Sequence, residues 1–379
     1  MKLYYIASAR IPHKKAYAIQ IAKMCEAFVE EGVEIELILP KQKGVTDDVR
    51  AYYKLRTSFP VTRLPALDFY DSGKWGYFLS SLSFTISYVF YLLLKKLQGN
   101  GGIVYTIDMD TFSFVASAFL GMPCFLETHG GKAETLRNKL FFKKVKGVVV
   151  INSIIKKQIV KTLAFPEDRM LVWPNGIDLG LFRDVSKDEA RNKLSLPKDG
   201  KIVMYCGRFY GWKGFEVLVD AAEQIPPGIS VYIVGGTKEE FMSVAKKTKI
   251  SKNFVFPGEK PYTEIPLWLS AADALLVLGT KHDTQSYYYT SPMKVFEYLA
   301  MKRPIVASKT PAIQDIVSDT EVVFYEPDDS KDLAQKIVLS VSDSESVERK
   351  TVAATTRAKD FTWQKRAKDT MEFMKKYEY

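Results

Sequence analysis

The sequence predicts an α/β protein that is built from two doubly wound domains. Short apolar segments of strand length alternate with segments of helical periodicity along almost the whole chain, which is the pattern of a parallel sheet covered by helices on both faces. The series occurs twice, on either side of a link near 173–183. We therefore expect two similar Rossmann-like halves, at 1–172 and 173–362.

The strands and helices follow in order from this pattern. The first half offers the strand segments "KLYYIAS", "VEIELILP", "GIVYTI", "PCFLET" and "GVVVIN", and the second half offers "KIVMYCG", "SVYIVGG", "NFVFPG", "ADALLVLG", "PIVASK" and "EVVFYE". Helical segments separate them, the first over 16–31 with Gly32 as its stop signal. The chain ends in helices near 330–341 and 363–377. Ligands of such sheets bind at the carboxyl ends of the strands, so polar residues just after strands carry the functional information.

Composition indicates an ordinary globular protein. The chain has 379 residues, of which 47% are hydrophobic and 26% are charged, enough to form two cores. Its three cysteines are odd in number, far apart and embedded in apolar segments, which is typical of reduced thiols. The segment "MKLYYIASARIP" lacks the pattern of a signal peptide, so we expect a non-secreted, cytoplasmic protein.

The charge of the chain is positive and unevenly distributed. The formal net charge is +10 at pH 7, and nine Lys or Arg residues against one acid lie between Lys132 and Lys161. Such a surface suits an anionic membrane or a phosphorylated acceptor, or it is simply a solvated face. Because the charge forms neither a block nor a repeated motif, we do not expect nucleic acid as the partner.

One segment is long and apolar enough to raise the question of a membrane span. Residues 75–94, "WGYFLSSLSFTISYVFYLLL", carry no charge and lie between Lys74 and Lys95. Five Ser or Thr residues interrupt the segment, and a strand follows it. We therefore interpret it as a buried or surface-docked helix that contacts a membrane peripherally rather than one that crosses it.

The segment "GRFYGWKGFEVL" follows a strand and precedes a helix in the second half. Its glycines relax the backbone, while Arg208 and Lys213 supply two cations. Open amides, a helix amino terminus and paired cations suit a phosphate group. The segment is not a Walker A loop, because Lys213 is followed by Gly214. The alternative interpretation is a basic turn whose glycines serve only its geometry.

The segment "YYYTSPMKVFEYLAMKRPIVAS" predicts a second anion site. We expect Ser291 as the N-cap and Pro292 as the first helical residue, which leaves free amides at Met293 and Lys294. A cation in the first turn is reasonable if a phosphate binds there. Glu297, one turn further on, could accept hydrogen bonds from two ribose hydroxyls. Together they indicate a nucleotide, although a simple Lys294–Glu297 pair is the alternative.

Polar residues also follow the strands of the first half. "CFLETHGG" places Glu127 and His129 on one face at the end of a strand, and this position makes His129 a candidate. Asp108 and Asp110 form a D-x-D pattern after the preceding strand. A tripeptide this short occurs by chance, so we interpret these carboxylates as loop or helix-cap residues and expect no metal site.

Six segments in order resemble a known family. They are "VVVINSIIKKQI", "VWPNGID", "CGRFYGWKGFEVLVDAA", "VYIVGG", "FPGEKPYTEIPLWLSAADALLVL" and "SPMKVFEYLAMKRPIVAS". The chain resembles glycosyltransferase family 4, the retaining GT-B enzymes of the group 1 glycosyl transferases, closely over 145–320 and more loosely in the first half. The resemblance implies two Rossmann-like domains that face each other across a cleft, with a final helix, 363–379, that crosses back to the first domain.

The resemblance also implies roles for individual residues. Arg208 and Lys213 would bind the donor diphosphate, Glu297 the ribose, and His129 would face the donor sugar. Catalysis would thus depend on His129, Arg208 and Lys213. The full set of implied donor-binding residues is Gly207, Arg208, Lys213, Gly235, Phe256, Gly258, Tyr289, Ser291, Pro292, Met293, Lys294 and Glu297.

The implied reaction is retaining transfer of a hexosyl group from a nucleotide-diphosphate sugar, with UDP or GDP as the nucleotide and without an obligatory metal or other cofactor. The implied acceptor is a lipid-linked or surface-glycan precursor at the cytoplasmic face of the membrane, as in polysaccharide biosynthesis. The 75–94 and 132–161 segments suit such a peripheral, anionic membrane surface.

Two departures from the family pattern keep alternatives open. The family's first glutamate of a Glu-x7-Glu motif is Tyr289 here, and "SARIPHKKAYAIQ" lacks the family's glycine pair. A catalytically weak or inactive nucleotide-sugar-binding scaffold is therefore one alternative, and a sugar-nucleotide epimerase is another. A Rossmann dehydrogenase is a poorer alternative still, because no G-x-G-x-x-G follows the first strand.

Overall fold

The structure is a computed structural model that describes residues 1–45, 47–110, 112–342 and 344–378. It divides into two units, one formed by Met1–Pro174 with Trp363–Tyr379 and the other by Asn175–Thr362. The division therefore lies two residues beyond the boundary expected from the sequence. Each unit has its own parallel sheet.

The sheet of the first unit has seven strands in the order β3-β2-β1-β4-β5-β6-β7, and every recorded pairing is parallel. Its central strands are buried along their whole length because helices cover both faces. The strands are β1 (Lys2–Ile6), β2 (Glu34–Pro40), β3 (Val61–Leu64), β4 (Ile103–Ile107), β5 (Cys124–Thr128), β6 (Gly147–Val150) and β7 (Met170–Val172).

Five helices connect these strands. They are α1 (Ala16–Glu30), α2 (Val49–Tyr53), α3 (Gly73–Leu97), α4 (Leu136–Lys144) and α5 (Ser153–Leu163). Side-chain caps fix several of their starts, as where Asn152 accepts a hydrogen bond from the Ile155 amide at 2.8 Å. Helix α5 then ends at Ala164, whose φ of 50° is left-handed.

Helix α3 exposes most of its apolar surface. Its buried face includes Phe84, Tyr88 and Leu92, whereas Trp75 and Leu97 are 80% and 83% exposed. The exposed large side chains recur every three or four residues, so they form one stripe along the helix. We call this set the apolar stripe: Trp75, Leu79, Leu82, Ile86, Phe90, Leu93 and Leu97. By length and composition alone α3 could cross a membrane, and only 28% of its most apolar 18-residue segment is buried within the protein.

The second unit has a six-stranded parallel sheet in the order β10-β9-β8-β11-β12-β13. The strands are β8 (Lys201–Cys206), β9 (Ile229–Val234), β10 (Phe254–Gly258), β11 (Ala274–Val277), β12 (Ile305–Ser308) and β13 (Val323–Tyr325). The helices are α6 (Lys187–Lys193), α7 (Phe215–Ala222), α8 (Lys238–Val244), α9 (Ile265–Ser270), α10 (Met293–Leu299), α11 (Pro311–Gln314), α12 (Ser330–Ser340) and α13 (Glu345–Ala358).

The last helix, α14 (Trp363–Tyr377), belongs to the first unit. It packs along α1, and Trp363, Ala367 and Met374 are buried there. Hydrogen bonds add to this contact, since Gln364 Nε2 donates to Glu30 Oε2 at 2.7 Å. The segment 363–377 thus completes the core of the first unit, although the rest of that unit ends at Pro174.

Several elements were not expected from the sequence. Helix α13 has few buried apolar residues, chiefly Val347, Ala354 and Ala358, so its helical pattern is weak. Strands β3 and β7 are short edge strands of four and three residues, and helix α2 has only five. Segments this short do not show a clear period.

Candidate functional site

Three glycines of the second unit meet where strands β8, β9 and β10 end. The Gly207 amide donates to Val234 O at 2.8 Å, and the Gly235 amide donates to Gly258 O at 3.1 Å. All three glycines have positive φ values, from 84° to 144°. A Cβ at Gly235 would lie 2.7 Å from the Gly207 carbonyl carbon. The structure therefore brings these predicted donor-binding glycines together as a bare backbone surface.

Lys213 lies beside this surface, in a 3₁₀ turn between β8 and α7. Gly214 follows in the left-handed conformation, so the chain can turn directly into the helix. The Lys213 side chain is buried, and its Nζ lies 3.7 Å from the centroid of the Trp212 ring. Burial lowers the pKa of Lys213 to about 7, although the Asp283 carboxylate offsets part of this effect.

Lys294 is a second buried amine in the same place. Its Nζ has no hydrogen-bond partner among the described residues and lies 3.3 Å from the centroid of the Tyr205 ring. Burial, and then the like charge of Lys213, lower the pKa of Lys294 well below its ordinary value. The Lys294–Glu297 pair, considered above as an alternative, does not form. An anion bound between the two amines would favour their charged forms and offset the cost of burying them.

Glu297 lies one turn further along α10 and is 8% exposed. Burial raises the pKa of its carboxyl to about 7. A hydrogen bond from Tyr262 and the positive charge of Lys294 lower the pKa but only partly offset the effect of burial. Tyr262 itself is held in place by the Phe182 ring, with centroids 5.5 Å apart. In its ionised form, the Glu297 carboxylate can accept hydrogen bonds from ligand hydroxyls.

The predicted start of helix α10 is wrong by one residue. Pro292, with φ of −67° and ψ of 122°, occupies the N-cap position, and the helix begins at Met293. Ser291 does not cap it, because its Oγ accepts a hydrogen bond from the Asn175 amide at 3.2 Å, and its carbonyl accepts another from Asn175 Nδ2 at 2.7 Å. The amides of Met293 and Lys294 remain in the first turn, where a helix supplies no acceptor.

Two further predicted residues lie differently from the buried lysines. Arg208 is partly exposed, and its Nη2 lies 3.6 Å from Glu259 Oε1, a surface ion pair of little energetic weight. The Phe256 ring packs against Phe241, with centroids 5.4 Å apart, so it contributes mainly to the domain core. Phe256 is nevertheless only partly buried.

Tyr289 ends a π-helical turn, Gln285–Tyr289, in the loop after β11. The loop is fixed internally, since the Ser286 amide donates to Asp283 Oδ1 at 3.0 Å and Ser286 Oγ accepts from the Thr280 amide at 3.1 Å. This turn contacts the 3₁₀ turn that carries Lys213. The tyrosine that replaces the family's glutamate is therefore close in the fold to the proposed phosphate site.

In the first unit, Glu127 and His129 meet as the alternation of the strand predicts. His129 Nε2 lies 2.7 Å from Glu127 Oε1, and Arg366 Nη2 lies 2.8 Å from the same oxygen. Burial alone would raise the pKa of Glu127, but the Arg366 charge and the hydrogen bonds from His129 and Arg366 hold that pKa well below its ordinary value. Glu127 is therefore an ionised carboxylate.

The D-x-D carboxylates have structural partners. Asp108 pairs with Lys132 and accepts a hydrogen bond from Thr128 Oγ1 at 2.6 Å. Asp110 Oδ1 accepts hydrogen bonds from the Phe112 and Ser113 amides at 2.8 and 2.6 Å. Within the described ranges, no cluster of three or more His, Cys, Asp or Glu side chains has metal-binding geometry. Both carboxylates make local contacts of the kind expected for loop residues, and the expectation of no metal stays a prediction.

The sequence did not identify four residues that shape these sites. Asp283 and Tyr262 lie in loops, where periodicity gives no information, although Asp283 follows a strand and could have been considered on that ground. Tyr205 lies inside a strand, where an aromatic residue indicates core. Arg366 is one of several basic residues of the last helix, and no local pattern indicates that its side chain has no exposure.

Comparisons with known proteins show that part of the chain is similar to glycosyltransferases. Residues 186–357 match the family model for glycosyl transferases group 1. The chain is 27% identical over 202 residues to the putative teichuronic acid biosynthesis glycosyltransferase TuaC of Bacillus subtilis, covering 52% of this chain and 48% of that protein. It is 25% identical over 196 residues to the putative colanic acid biosynthesis glycosyl transferase WcaI of Escherichia coli, covering 49% and 46%. The alignment thus spans about half the length of the curated relatives it matches.

Solved structures resemble the chain over its whole length. Sucrose-phosphate synthase from Thermosynechococcus elongatus gives a TM-score of 0.75 at 19% identity, covering 99% of this chain and 98% of that one. Anabaena HepE in complex with UDP and glucose gives a TM-score of 0.72 at 16% identity, covering 99% of this chain and 100% of that one. At such identities the likeness shows the fold, and the predicted GT-B fold class is confirmed, whereas membership of family 4 in particular stays a prediction. Within the chain, residues 186–357 are similar to the glycosyl transferases group 1 family.

Proposed function

We propose that this protein transfers a sugar, with retention, from a nucleotide-diphosphate donor to a hydroxyl acceptor that is a lipid-linked or surface-glycan precursor. The observation that carries the proposal is the pair of buried amines, Lys213 and Lys294: the charge of Lys213 lowers the pKa of Lys294, and Lys294 Nζ has no hydrogen-bond partner among the described residues. Burying two ammonium groups is costly unless a ligand compensates their charge. A bound diphosphate would supply negative charge that favours the ammonium form of both amines.

The rest of the nucleotide fits around these amines. The amides at the start of α10 lie next to Lys294, the carboxyl of Glu297 is one turn away to accept ribose hydroxyls, and the glycine surface admits a close backbone approach. We propose UDP or GDP as the nucleotide. Anabaena HepE, which shares the fold, has been crystallised with UDP and glucose.

In the proposed reaction, cations carry the charge of the leaving group, and no obligatory metal is needed. Lys213, Lys294 and the partly exposed Arg208 would stabilise charge on the departing diphosphate. A phosphate oxygen would take the acceptor's proton on the face that the diphosphate leaves, which gives retention. We propose that His129 contacts the donor sugar.

Turnover and binding test this proposal. Purified protein with a panel of UDP- and GDP-sugars and lipid-linked acceptors should release nucleoside diphosphate, and thermal shift should identify the donor first. Lys213→Ala should abolish donor binding, whereas Lys193→Ala, at an exposed i,i+4 pair with Glu189, should change nothing. Donor binding without any release would contradict a transferase and favour the inactive scaffold that Tyr289 suggests.

A sugar-nucleotide epimerase is less well supported than a transferase or an inactive scaffold. Such an enzyme needs a group that gains and loses a proton beside the sugar. Glu127 is committed to its ion pair with Arg366 and is fully buried, so it cannot serve as that acid. Incubation of the donor alone should therefore leave its sugar configuration unchanged.

We further propose that the protein works on the cytoplasmic face of a membrane and contacts that membrane through the apolar stripe of α3. The 3₁₀ turn Val115–Phe119 packs against both α3 and α4, so the basic α4 lies next to α3 in the same unit. Phe119, Leu136 and Leu140 add exposed apolar groups there, and exposed cations surround them: Lys74, Lys96, Arg137, Lys139, Lys143 and Lys144.

This combination fits an anionic bilayer. Apolar side chains enter the boundary between headgroups and acyl chains, while nearby Lys and Arg side chains attract anionic lipids. Against a second copy of the chain, the same cations would repel one another. An in-plane helix also explains why α3 can be long and apolar with one face packed on its own domain.

Vesicle sedimentation tests the membrane contact. The protein should bind vesicles that contain anionic phospholipid more tightly than zwitterionic ones, and salt should weaken the binding. The double substitution Ile86→Asp with Phe90→Asp should abolish it, whereas Val352→Asp, at an equally exposed position on α13, should not. Concentration-dependent dimerisation that the double substitution removes, without vesicle binding by the wild type, would instead identify a second copy as the occupant.

A further inference from the structure

The last helix of the chain reaches His129 through one shared oxygen atom. Arg366 on α14 donates its Nη2 hydrogen to Glu127 Oε1 at 2.8 Å, and His129 Nε2 lies 2.7 Å from the same Oε1. Glu127 and Arg366 expose none of their side chains, whereas His129 is 30% exposed. A helix that follows the second unit in sequence is thus coupled to a candidate catalytic residue in the first.

The chemistry of the carboxylate determines how the histidine ring is protonated. Tyr105 Oη donates to Glu127 Oε2 at 2.6 Å, and Gln20 Nε2 donates to Oε1 at 2.5 Å. An ionised carboxylate only accepts hydrogen bonds. His129 must therefore donate from Nε2, which leaves Nδ1 as the acceptor in the neutral ring. No hydrogen bond to Nδ1 occurs among the described residues.

We propose that Arg366 is a positioning residue for His129. Arg366 fixes Glu127 as a carboxylate, Glu127 holds the imidazole as the Nε2–H tautomer, and Nδ1 is left to accept a hydrogen bond from a hydroxyl of the donor sugar. Arg366 acts through Glu127, because its own side chain is closed to any ligand. The contact of His129 with the sugar rests on the proposed function, whereas the control of the tautomer does not.

The chemistry of the buried pair argues for this role rather than for packing alone. A buried ion pair stabilises a fold less well than apolar residues of similar volume do. Within the described chain, Arg366 Nε and Nη1 have no hydrogen-bond partner, so the guanidinium is only partly compensated. The buried Arg366 charge therefore costs stability. Its contact with Glu127 Oε1, the oxygen that also contacts His129, indicates a role in positioning the imidazole.

The first test compares two substitutions on α14 of the full-length protein. Arg366→Met removes the guanidinium that pairs with the Glu127 carboxylate. Gln364→Ala removes a different contact of the same helix, the hydrogen bond to Glu30. We expect Arg366→Met to lower kcat at least about tenfold and to leave KM for the nucleotide sugar within about twofold. Gln364→Ala should change neither. A rise in KM with unchanged kcat would overturn the proposal.

A second variant covers the case in which Arg366→Met does not fold. The double substitution Glu127→Gln with Arg366→Met leaves no buried charge, and the glutamine amide can donate or accept, so it no longer fixes the tautomer. We expect this protein to fold and to keep the low kcat. Wild-type kcat in the folded double variant would overturn the proposal.

The tautomer can be observed directly. The chain has three histidines, so a ¹⁵N imidazole NMR spectrum contains three ring systems, and His129→Gln assigns the relevant one. We expect the Nε2–H form of His129 in the wild type and a mixture in the double variant. A pure Nε2–H form in both would refute the proposal. Because this spectrum needs no donor, failure of turnover in the wild type would count against the proposed function alone.

Discussion

The backbones of Gly235 and Gly207 approach each other so closely that a Cβ at Gly235 would lie 2.7 Å from the Gly207 carbonyl carbon. This contact joins the ends of two adjacent strands beneath the proposed diphosphate site. Comparison with Gly258 separates two costs of replacing a glycine, the steric clash of the added Cβ and the strain of a positive φ. Gly258 has a positive φ as well, 84°, but open space around its Cβ position.

We expect Gly235→Ala to destabilise the protein far more than Gly258→Ala. Gly258→Ala adds only a left-handed alanine, which costs about 1–2 kcal/mol. Gly235→Ala adds the clash with Gly207 and a φ of 144° that only glycine adopts readily, so the loss should be about 3 kcal/mol or more. Urea unfolding of both variants measures the difference. Equal losses would mean that the strand ends separate easily.

Donor binding should depend on pH through Lys213. In the free protein burial holds the pKa of Lys213 at about 7, and a bound diphosphate raises that pKa because it favours the ammonium form. Binding therefore takes up a proton above pH 7, and affinity falls as pH rises through 7, by up to about tenfold per pH unit. Calorimetry with a nucleotide sugar in buffers of different ionisation enthalpy measures the proton uptake. A nucleotide sugar is preferable to UDP, whose terminal phosphate titrates near pH 6.

Glu297 should produce the opposite pH dependence. Burial raises the pKa of its carboxyl to about 7, and ribose hydroxyls donate best to the ionised form. Affinity should therefore rise with pH up to about 7, so that the wild type binds best near neutrality. Glu297→Gln should weaken binding and remove the acid side of this profile while leaving the alkaline side. An unchanged profile in Glu297→Gln would show that Glu297 does not contact the ligand.

The sequence predicted the fold better than it predicted the site. Periodicity is a property of consecutive residues, so the parallel sheets and the two units followed from it. Glycines after strands likewise predicted the surface that is proposed to bind the diphosphate. Burial of a polar side chain depends on residues distant in sequence. Arg366 and Glu127 are separated by more than two hundred positions, and neither position has a local pattern that signals the ion pair. Likewise, the hydroxyl of Ser291 was expected to cap a helix, but Asn175, which no local rule connects to it, takes that hydroxyl.

Replacement of Lys213 should stabilise the free protein while it abolishes donor binding. The pKa of Lys213 is about 7 in the folded state against an ordinary value of 10.5, so the unfolded chain binds more protons between these values and stability rises with pH across that window. Lys213→Met should remove this slope and raise stability at pH 7 by about 1–3 kcal/mol. Unfolding at pH 7 and pH 9 without ligand measures both effects. Lower stability of the variant at both pH values would contradict the assigned burial of charge.

The pair formed by Glu127 and Arg366 should determine stability in acid. The pKa of Glu127 is below its ordinary value in the folded state, so its contribution is complete above about pH 4.5 and is lost as pH falls through the folded pKa. Arg366→Met leaves a buried carboxylate without its cation, which should cost about 3–5 kcal/mol at pH 7. In that variant burial raises the pKa of Glu127, so the cost should shrink as pH falls. Adding Glu127→Gln should recover most of the loss at pH 7, whereas Gln364→Ala should stay close to the wild type. Urea unfolding at pH 7 and pH 4.5 measures these differences, and a loss in Arg366→Met that is the same at both pH values would show that its cause is packing rather than charge.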